Sequence, residues 1–147
     1  MTVADPAQRE LLLLDTHALV WYAEGSLKIG ASTKKAVRLG TRGDRVLVSA
    51  ITPWEIAMLV SKKRLSLSSD VMEWVNELFA KPGLSLVPLE PKIAVASTRL
   101  PFDMHPDPAD RILVATARQL GATLVTADRA LLELATQGYF KVQDAME

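Results

Sequence analysis

Short apolar segments separated by helical stretches constrain the fold of this chain more than any other feature of its sequence. Four such segments occupy residues 11–14, 45–49, 84–87 and 123–126, and a fifth follows at 139–142. Each is too short for a buried helix, and leucine and valine dominate most of them, so each predicts a β-strand.

Strands that alternate with helices form βα units, which build a mostly parallel sheet with helices packed on it. Helices are expected over residues 17–24, 32–40, 52–63, 69–79, 90–98, 107–119 and 129–136. The chain has 147 residues, of which 49% are apolar and 23% charged, as is ordinary for one globular domain. We therefore expect a single three-layer α/β/α domain over residues 11–147, with a five-stranded sheet and a flexible tail at residues 1–10.

The composition excludes several kinds of site. The chain has no cysteine, so disulfides, thiolate zinc sites and a cysteine nucleophile are ruled out, and a reducing cytoplasm fits. Its two histidines, His17 and His105, cannot form a three-histidine metal site. Glycine-rich nucleotide loops and a G-x-S-x-G elbow are absent. No apolar run approaches the roughly 18 residues of a membrane span, and the N-terminus does not resemble a signal peptide, so a cytoplasmic protein without membrane contact is expected.

Carboxylates lie near the carboxyl ends of the predicted strands. Asp15 follows the first strand, Glu55 lies in the first turn of the helix after the second, and Asp128 follows the fourth. Asp107 and Asp110 begin the long helix before the fourth strand. The functional crevice of an open α/β sheet lies at this edge. Converging carboxylates need a counter-charge, and oxygen ligands suit Mg²⁺ or Mn²⁺.

Helix capping is the alternative explanation for each of these acids. Thr52, Pro53 and Glu55 fit a capping box at the start of the third helix. Asp107 fits the N-cap position of its helix, Asp110 fits the third position, and Asp128 can cap the helix behind it. Capping accounts less well for the whole set, because all its members lie beside strand ends.

Other polar and aromatic residues have less specific patterns. Thr16 and Thr126 can hydrogen-bond a carboxylate or metal-bound water, or can cap a helix. His17 and His105 can act as bases or ligands, but no Ser or Cys elbow lies near either, so we expect structural roles for both. Trp54 and Trp74 can lie in the core or serve as base-stacking platforms, and we expect the core.

Two surface features leave alternatives open. Residues 28–64 hold nine Lys or Arg and two acids, so this segment carries a net charge of +7 and the rest of the chain −7. The segment can contact a polyanion or simply form solvated helix faces. The helices at 52–63 and 69–79 are also unusually apolar, which fits either ordinary core packing or a surface covered by a partner's amphipathic helix. The apolar residues concerned are Ile56, Met58, Leu59, Val60, Val71, Trp74, Val75 and Leu78.

Four blocks of the sequence resemble, in order, the four blocks of PIN-domain proteins, in particular VapC-type toxins of bacterial toxin–antitoxin pairs. The blocks occupy residues 12–19, 49–57, 105–117 and 124–128, within a likeness that spans 11–142. The resemblance implies a ribonuclease that depends on Mg²⁺ or Mn²⁺, with RNA as substrate and a cognate antitoxin as protein partner. A homodimer is also expected.

The same resemblance assigns roles to individual residues. The family's acidic quartet falls on Asp15, Glu55, Asp110 and Asp128, as metal ligands and catalytic residues. Asp107 matches a further acid, and Arg111 a position expected to pair with a carboxylate. Independently of the resemblance, we expect Thr16 and Thr126 to support the quartet. Ala109 departs from the aromatic residue that many relatives carry there, which affects packing only.

Two other function classes fit the same sequence less well. A receiver-like signalling module needs adjacent acids after the first strand and a lysine after the last, but Asp15 follows Leu14, and Lys141 lies inside the last strand. A phosphatase with an aspartyl nucleophile usually has a second aspartate two residues later, where this chain has His17.

Overall fold

The computed structural model describes residues 10–147, so the expected tail lies outside the described residues except for Glu10. The sheet contains five strands: Leu12–Leu14 (β1), Val46–Ser49 (β2), Leu84–Val87 (β3), Thr123–Thr126 (β4) and Lys141–Asp144 (β5). Their order is β3-β2-β1-β4-β5, and every neighbouring pair is parallel. The predicted α/β class and parallel sheet are confirmed.

Seven helices connect and cover these strands: Thr16–Ala23 (α1), Ala31–Arg42 (α2), Ile51–Ser61 (α3), Val71–Ala80 (α4), Pro91–Ala96 (α5), Pro108–Leu120 (α6) and Arg129–Ala135 (α7). All seven were expected, with ends that differ by one or two residues. The fifth strand begins two residues later than predicted. The rings of Tyr139 and Phe140 pack instead against Phe102, with centroid distances of 4.6 and 6.0 Å.

The core consists of two buried clusters, one on each face of the sheet. Successive side chains of a strand point to opposite faces. Leu12 and Leu14 therefore pack with one cluster, which includes Leu19 of α1 and Val37 of α2, while Leu13 packs with the other. Burial on both faces explains why β1 is a continuous leucine run.

The start of α3 differs from the predicted capping box. The helix begins at Ile51, whose N–H donates to Ser49 Oγ at 3.2 Å, and Ala50 is the N-cap residue. Only one residue separates β2 from α3, so Thr52 lies inside the first turn, where its buried hydroxyl has no hydrogen-bond partner among the described residues. The capping box is therefore wrong, and the Glu55 side chain is free to bond elsewhere.

The other predicted caps are present. Asp107 accepts from the N–H of Asp110 at 3.0 Å, and Asp128 accepts from the first turn of α7. Gly121 ends α6 with a left-handed φ of 64°. Within residues 10–147, no helix has both the length and the apolar character that crossing a membrane would require.

Candidate active site

A cleft of about 400 Å³ opens at the carboxyl edge of the sheet, where the sequence predicts the site. All five acids expected there line it. The lining residues are Asp15, Thr16, His17, Trp21, Glu55, Leu59, Asp107, Asp110, Leu113, Ala127 and Asp128. Residues up to 113 positions apart in the chain meet here because β1 and β4 are neighbours at the centre of the sheet.

Asp15 is the most buried of these acids, with 8% of its surface exposed. One carboxylate oxygen accepts from the N–H of Ala18 at 2.8 Å and thereby caps α1, and the other accepts from the Thr126 hydroxyl. Burial raises the pKa of Asp15, while the bonds from Thr126 and Ala18 lower it. The net pKa shift is upward, so burial outweighs two well-placed donors.

Thr126 connects the two acids that follow strands. Its hydroxyl donates to Asp15 and accepts from the N–H of Asp128 at 3.0 Å. Asp128 Oδ1 in turn accepts from the N–H groups of Ala130 and Leu131 at 2.9 and 3.1 Å. Capping therefore occupies Oδ1 of Asp128, and the residue still lines the cleft.

Glu55 reaches the cleft from α3. Its Oε1 accepts a hydrogen bond from the Thr16 hydroxyl of α1. This contact joins two helices 39 positions apart in the chain, and it takes the place of the local bond that a capping box would have made. Both threonines, Thr16 and Thr126, thus donate to a carboxylate of the cleft, which was one of the two roles that the sequence left open.

Asp110 forms the α6 side of the cleft together with Asp107. Burial and then the negative charges of Asp107, Asp128, Glu55 and Asp15 raise the pKa of Asp110 to about 7. His105 Nε2 lies 3.4 Å from Asp110 Oδ2. The sequence favoured a structural role for His105, because no Ser or Cys elbow lies near it, and nothing local in the sequence places its ring beside Asp110.

Among residues 10–147, Arg111 pairs with no carboxylate, contrary to the expectation from the resemblance. Its Nε donates to the carbonyl oxygen of Ser97, and its guanidinium donates to the carbonyl oxygen of Met104, both at 3.0 Å. Arg111 therefore ties the loop before α6 to the end of α5. It positions the segment that carries His105 and Asp107 rather than a charge in the cleft.

The residues present fit a hard cation in donor type and charge. Five carboxylates and the Thr16 hydroxyl offer oxygen atoms, which Mg²⁺ and Mn²⁺ prefer. The negative charges of the neighbouring carboxylates help to raise the pKa of Asp110, and a bound cation would offset that charge. Within residues 10–147, however, no three His, Asp or Glu side chains stand in a ready-made coordination geometry. Asp15, Glu55, Asp107 and Asp128 accept the hydrogen bonds described above, but a carboxylate has about four lone-pair sites, so these bonds leave oxygen lone pairs for a cation.

The α1 side of the cleft is aromatic, which the sequence analysis missed. His17 and Trp21 lie one helical turn apart, with ring centroids 6.4 Å apart in an edge-to-face arrangement. Lys28 Nζ lies 5.9 Å from the centroid of the Trp21 ring. The i, i+4 spacing after Asp15 is the signal that could have placed both rings on one face of α1.

The other two tryptophans differ in how deeply they are buried. Trp74 is buried at 5% exposure, as predicted, and its indole N–H donates to Glu24 Oε1 at 3.2 Å. Trp54 is 55% exposed and does not line the cleft, so its prediction as a core residue is wrong. It follows Pro53 on the outer side of α3, away from Ile56, which is buried.

Most cations of the segment 28–64 lie on the surface. The exposed ones are Lys28, Lys34, Lys35, Arg38, Arg42, Lys62, Lys63 and Arg64. Of the ion pairs formed within the described part of the chain, none includes these residues. They are solvated, which leaves both sequence-based alternatives, polyanion contact and plain solvation, compatible with the fold.

Comparison with known proteins identifies the family. The PIN domain matches residues 12–137. Ribonuclease VapC22 of Mycobacterium tuberculosis (strain ATCC 25618 / H37Rv) is 32% identical over 120 residues, covering 82% of this chain and 88% of the relative.

Solved structures share the fold. VapBC2 from Rickettsia felis, bound to a promoter DNA fragment, superposes with a TM-score of 0.63 at 15% identity over 90% of this chain and 97% of that chain. A toxin–antitoxin complex from Klebsiella pneumoniae gives 0.59 at 20% identity over 92% and 98%. FitAcB from Neisseria gonorrhoeae gives 0.58 at 21% identity over 92% and 98%. From its fold, its four sequence blocks and these matches, the chain belongs to the PIN-domain family.

Proposed function

We propose that this protein is a ribonuclease that depends on Mg²⁺ or Mn²⁺ and that it is the toxin of a toxin–antitoxin pair. The observation that carries the proposal is the cleft in which five carboxylates converge and the pKa of Asp110 rises to about 7. Such a site favours a cation. The relative at 32% identity is named a ribonuclease, which supports RNA as the substrate.

Asp15, Glu55, Asp110 and Asp128 are the proposed metal ligands and catalytic residues. A bound Mg²⁺ or Mn²⁺ supplies an activated water and offsets charge on the scissile phosphate. Thr126 and Thr16 hold the Asp15 and Glu55 carboxylates in place by direct hydrogen bonds.

Asp107 and Arg111 act on the same site from α6 and the loop before it. Asp107 caps α6 and adds negative charge beside Asp110. Arg111 fixes the preceding loop through carbonyl contacts. His105 faces Asp110 Oδ2 and offsets part of its charge when protonated. The exposed cations of residues 28–64 would hold the RNA backbone by releasing counterions.

Cleavage of labelled single-stranded RNA tests the catalytic proposal. We expect cleavage with Mg²⁺ or Mn²⁺, none in excess EDTA, and recovery when the metal is restored. Mg²⁺ should also raise the melting temperature, since a ligand that binds only the folded state stabilises it. A small phosphate ester tested in parallel addresses the phosphatase alternative. Cleavage of RNA undiminished by EDTA would contradict metal dependence, and turnover of the ester alone would contradict the ribonuclease assignment.

The antitoxin partner is proposed to bind between α3 and α4. Several apolar residues of these helices lie in the core, among them Ile56, Trp74 and Leu78. Val60 and Val71 are only half-buried and, with Leu65 and Leu67, line a surface groove of about 500 Å³. Two of the structures with the same fold are named as a toxin–antitoxin complex and as VapBC2, which supports a protein partner.

Co-expression with the product of a short reading frame, if one adjoins the gene, tests the partner. Val71→Asp should prevent the complex and leave RNA cleavage unchanged, because the groove and the cleft have no lining residue in common. A complex that survives this substitution would contradict the groove as the docking site. The homodimer stays a prediction, which sedimentation equilibrium of the isolated chain checks.

A further inference from the structure

The α1 side of the cleft forms an aromatic wall. His17 and Trp21 of α1 are the rings on the lining, and no other aromatic side chain of residues 10–147 takes part in it. Trp21 is half-buried and packs partly against the core, so its ring is held by its neighbours. His17 is exposed and meets the Trp21 ring at 61°, in an edge-to-face contact.

A cation accompanies this aromatic wall. The carbonyl oxygen of Trp21 accepts from the N–H of Ser26 at 2.8 Å, which fixes the turn after α1. Lys28 follows that turn, and its ammonium lies 5.9 Å from the centre of the Trp21 ring. Lys28 is exposed and forms no ion pair within the described residues.

An aromatic face with an adjacent ammonium suits a nucleotide. A nucleobase stacks on the ring when the exposed Lys28 side chain turns from over the ring toward a phosphate, with which its ammonium pairs. On the opposite side of the cleft, Asp107 and Asp110 repel phosphate unless a cation intervenes. The two sides therefore suit different parts of one RNA strand.

We propose that Trp21 is the stacking platform for one unpaired nucleobase next to the scissile phosphate, and that Lys28 binds a neighbouring phosphate. This inference rests on the proposed ribonuclease function and adds to it two residues that contact the substrate. A base that is stacked inside a duplex cannot lie flat on the Trp21 ring, so this contact requires an unpaired base.

Trp54 provides the matched control. It is the most exposed tryptophan, at 55%, but it does not line the cleft, and no Lys or Arg lies over its ring within the described part of the chain. Exposure alone therefore does not distinguish Trp21. The distinguishing features are its position in the cleft lining and the nearby Lys28.

The test is a thermodynamic cycle between protein and RNA. Wild type, Trp21→Ala, Trp21→Leu and Trp54→Ala are assayed on one single-stranded oligoribonucleotide and on copies with a single abasic position, moved stepwise past the cleavage site. We expect Trp21→Ala to lower kcat/KM on the intact RNA by about 5- to 150-fold, the range that base–aromatic stacking gives on alanine substitution.

At one abasic position, kcat/KM of the wild type should fall by a similar factor. On that same abasic RNA, Trp21→Ala should lower kcat/KM by less than about a further twofold, because the two changes remove the same contact. Trp21→Leu should behave like Trp21→Ala while keeping apolar packing, and Trp54→Ala should match the wild type.

Equal losses on intact and abasic RNA would overturn the proposal, since Trp21 would then act through the fold. No loss on either RNA would also overturn it and would indicate that the aromatic wall serves another ligand, such as a protein. Melting temperatures of both Trp21 variants identify an unfolded one, and the other variant then carries the test. If the wild type cleaves no RNA at all, the proposed function itself fails, which is a distinct outcome from failure of the cycle.

Discussion

The α6 side and the α1 side of the cleft differ in the groups that lie beside their charged side chains. On the α6 side, Asp107 and Asp110 lie in one helical turn, and negative charge around Asp110 helps to raise its pKa to about 7. On the α1 side, the Thr16 hydroxyl satisfies Glu55, and Lys28 lies over the Trp21 ring. The comparison teaches that negative charge accumulates on the α6 side, as a cation site requires, whereas a hydroxyl, an aromatic ring and a lysine occupy the α1 side.

The largest effect should come from the acidic side. Asp110→Asn keeps the size of the side chain and the backbone N–H that bonds Asp107, but it removes one charge from the cluster. Altered support of metal ligands costs 10–100-fold in activity, so loss of a ligand should lower RNA cleavage by at least about 100-fold. Without metal, the free energy of unfolding should stay equal or rise, because like charges are relieved.

Asp103→Asn is the matched control for this experiment. Asp103 is exposed in the loop before α6 and does not line the cleft, and the substitution changes charge in the same way. It should retain wild-type cleavage. An Asp110→Asn variant that is active but less stable would assign Asp110 to the helix rather than to the metal.

The second-largest effect on RNA cleavage should come from Thr126, which hydrogen-bonds both acids that follow strands. Thr126→Val removes the donor to Asp15 and the acceptor for the N–H of Asp128. We expect cleavage to fall by about 10–100-fold with weaker Mg²⁺ binding. Thr123→Val is the control, since Thr123 is buried at the other end of the same strand and bonds Glu10. Equal activity losses in both variants would mean that Thr126 acts only through the strand.

A smaller effect is expected on the aromatic side. Lys28→Gln should weaken RNA binding several-fold at low salt and lower the salt-dependence slope of log K by about one, since one phosphate contact is lost. Binding is measured by titration at several salt concentrations. Lys92→Gln is the control, because Lys92 is an exposed lysine on α5 that does not line the cleft. Its ammonium lies 4.0 Å from a carboxylate oxygen of Glu90. An unchanged slope for Lys28→Gln would contradict its contact with phosphate.

The smallest effect concerns pH and the metal-free protein. The folded pKa of Asp110 is about 7 and its ordinary value is 3.8, so the folded state binds more protons between these values. Stability therefore falls as pH rises through this window and levels off above it. We expect a loss on the order of 1–2 kcal/mol after allowance for solvent screening.

Chemical denaturation across this pH range in EDTA measures the slope. Asp110→Asn should reduce it, and saturating Mg²⁺ should reduce it in the wild type, since metal competes with protons for the carboxylates. An identical slope in Asp110→Asn would place the pH dependence in other groups, such as Asp15, whose pKa burial also raises.

The sequence by itself determined most of the fold. The leucine run of β1, the N-caps Asp107 and Asp128 and the stop at Gly121 are patterns of a few consecutive residues, and the structure contains all of them. The acids at the strand ends follow from these patterns, because parallel strands place their carboxyl ends at one edge.

Only the tertiary structure decided how the cleft is arranged. Glu55 bonds Thr16 across 39 positions, Arg111 bonds carbonyls of a neighbouring loop, and His105 meets Asp110 through the path of that loop. The Thr52–Glu55 capping box that the local pattern predicted does not form, because the short connection from β2 places the start of α3 at Ile51. Glu55 makes the long-range contact instead. Local patterns reflect backbone preferences within one element, whereas contacts between distant side chains depend on how the elements pack.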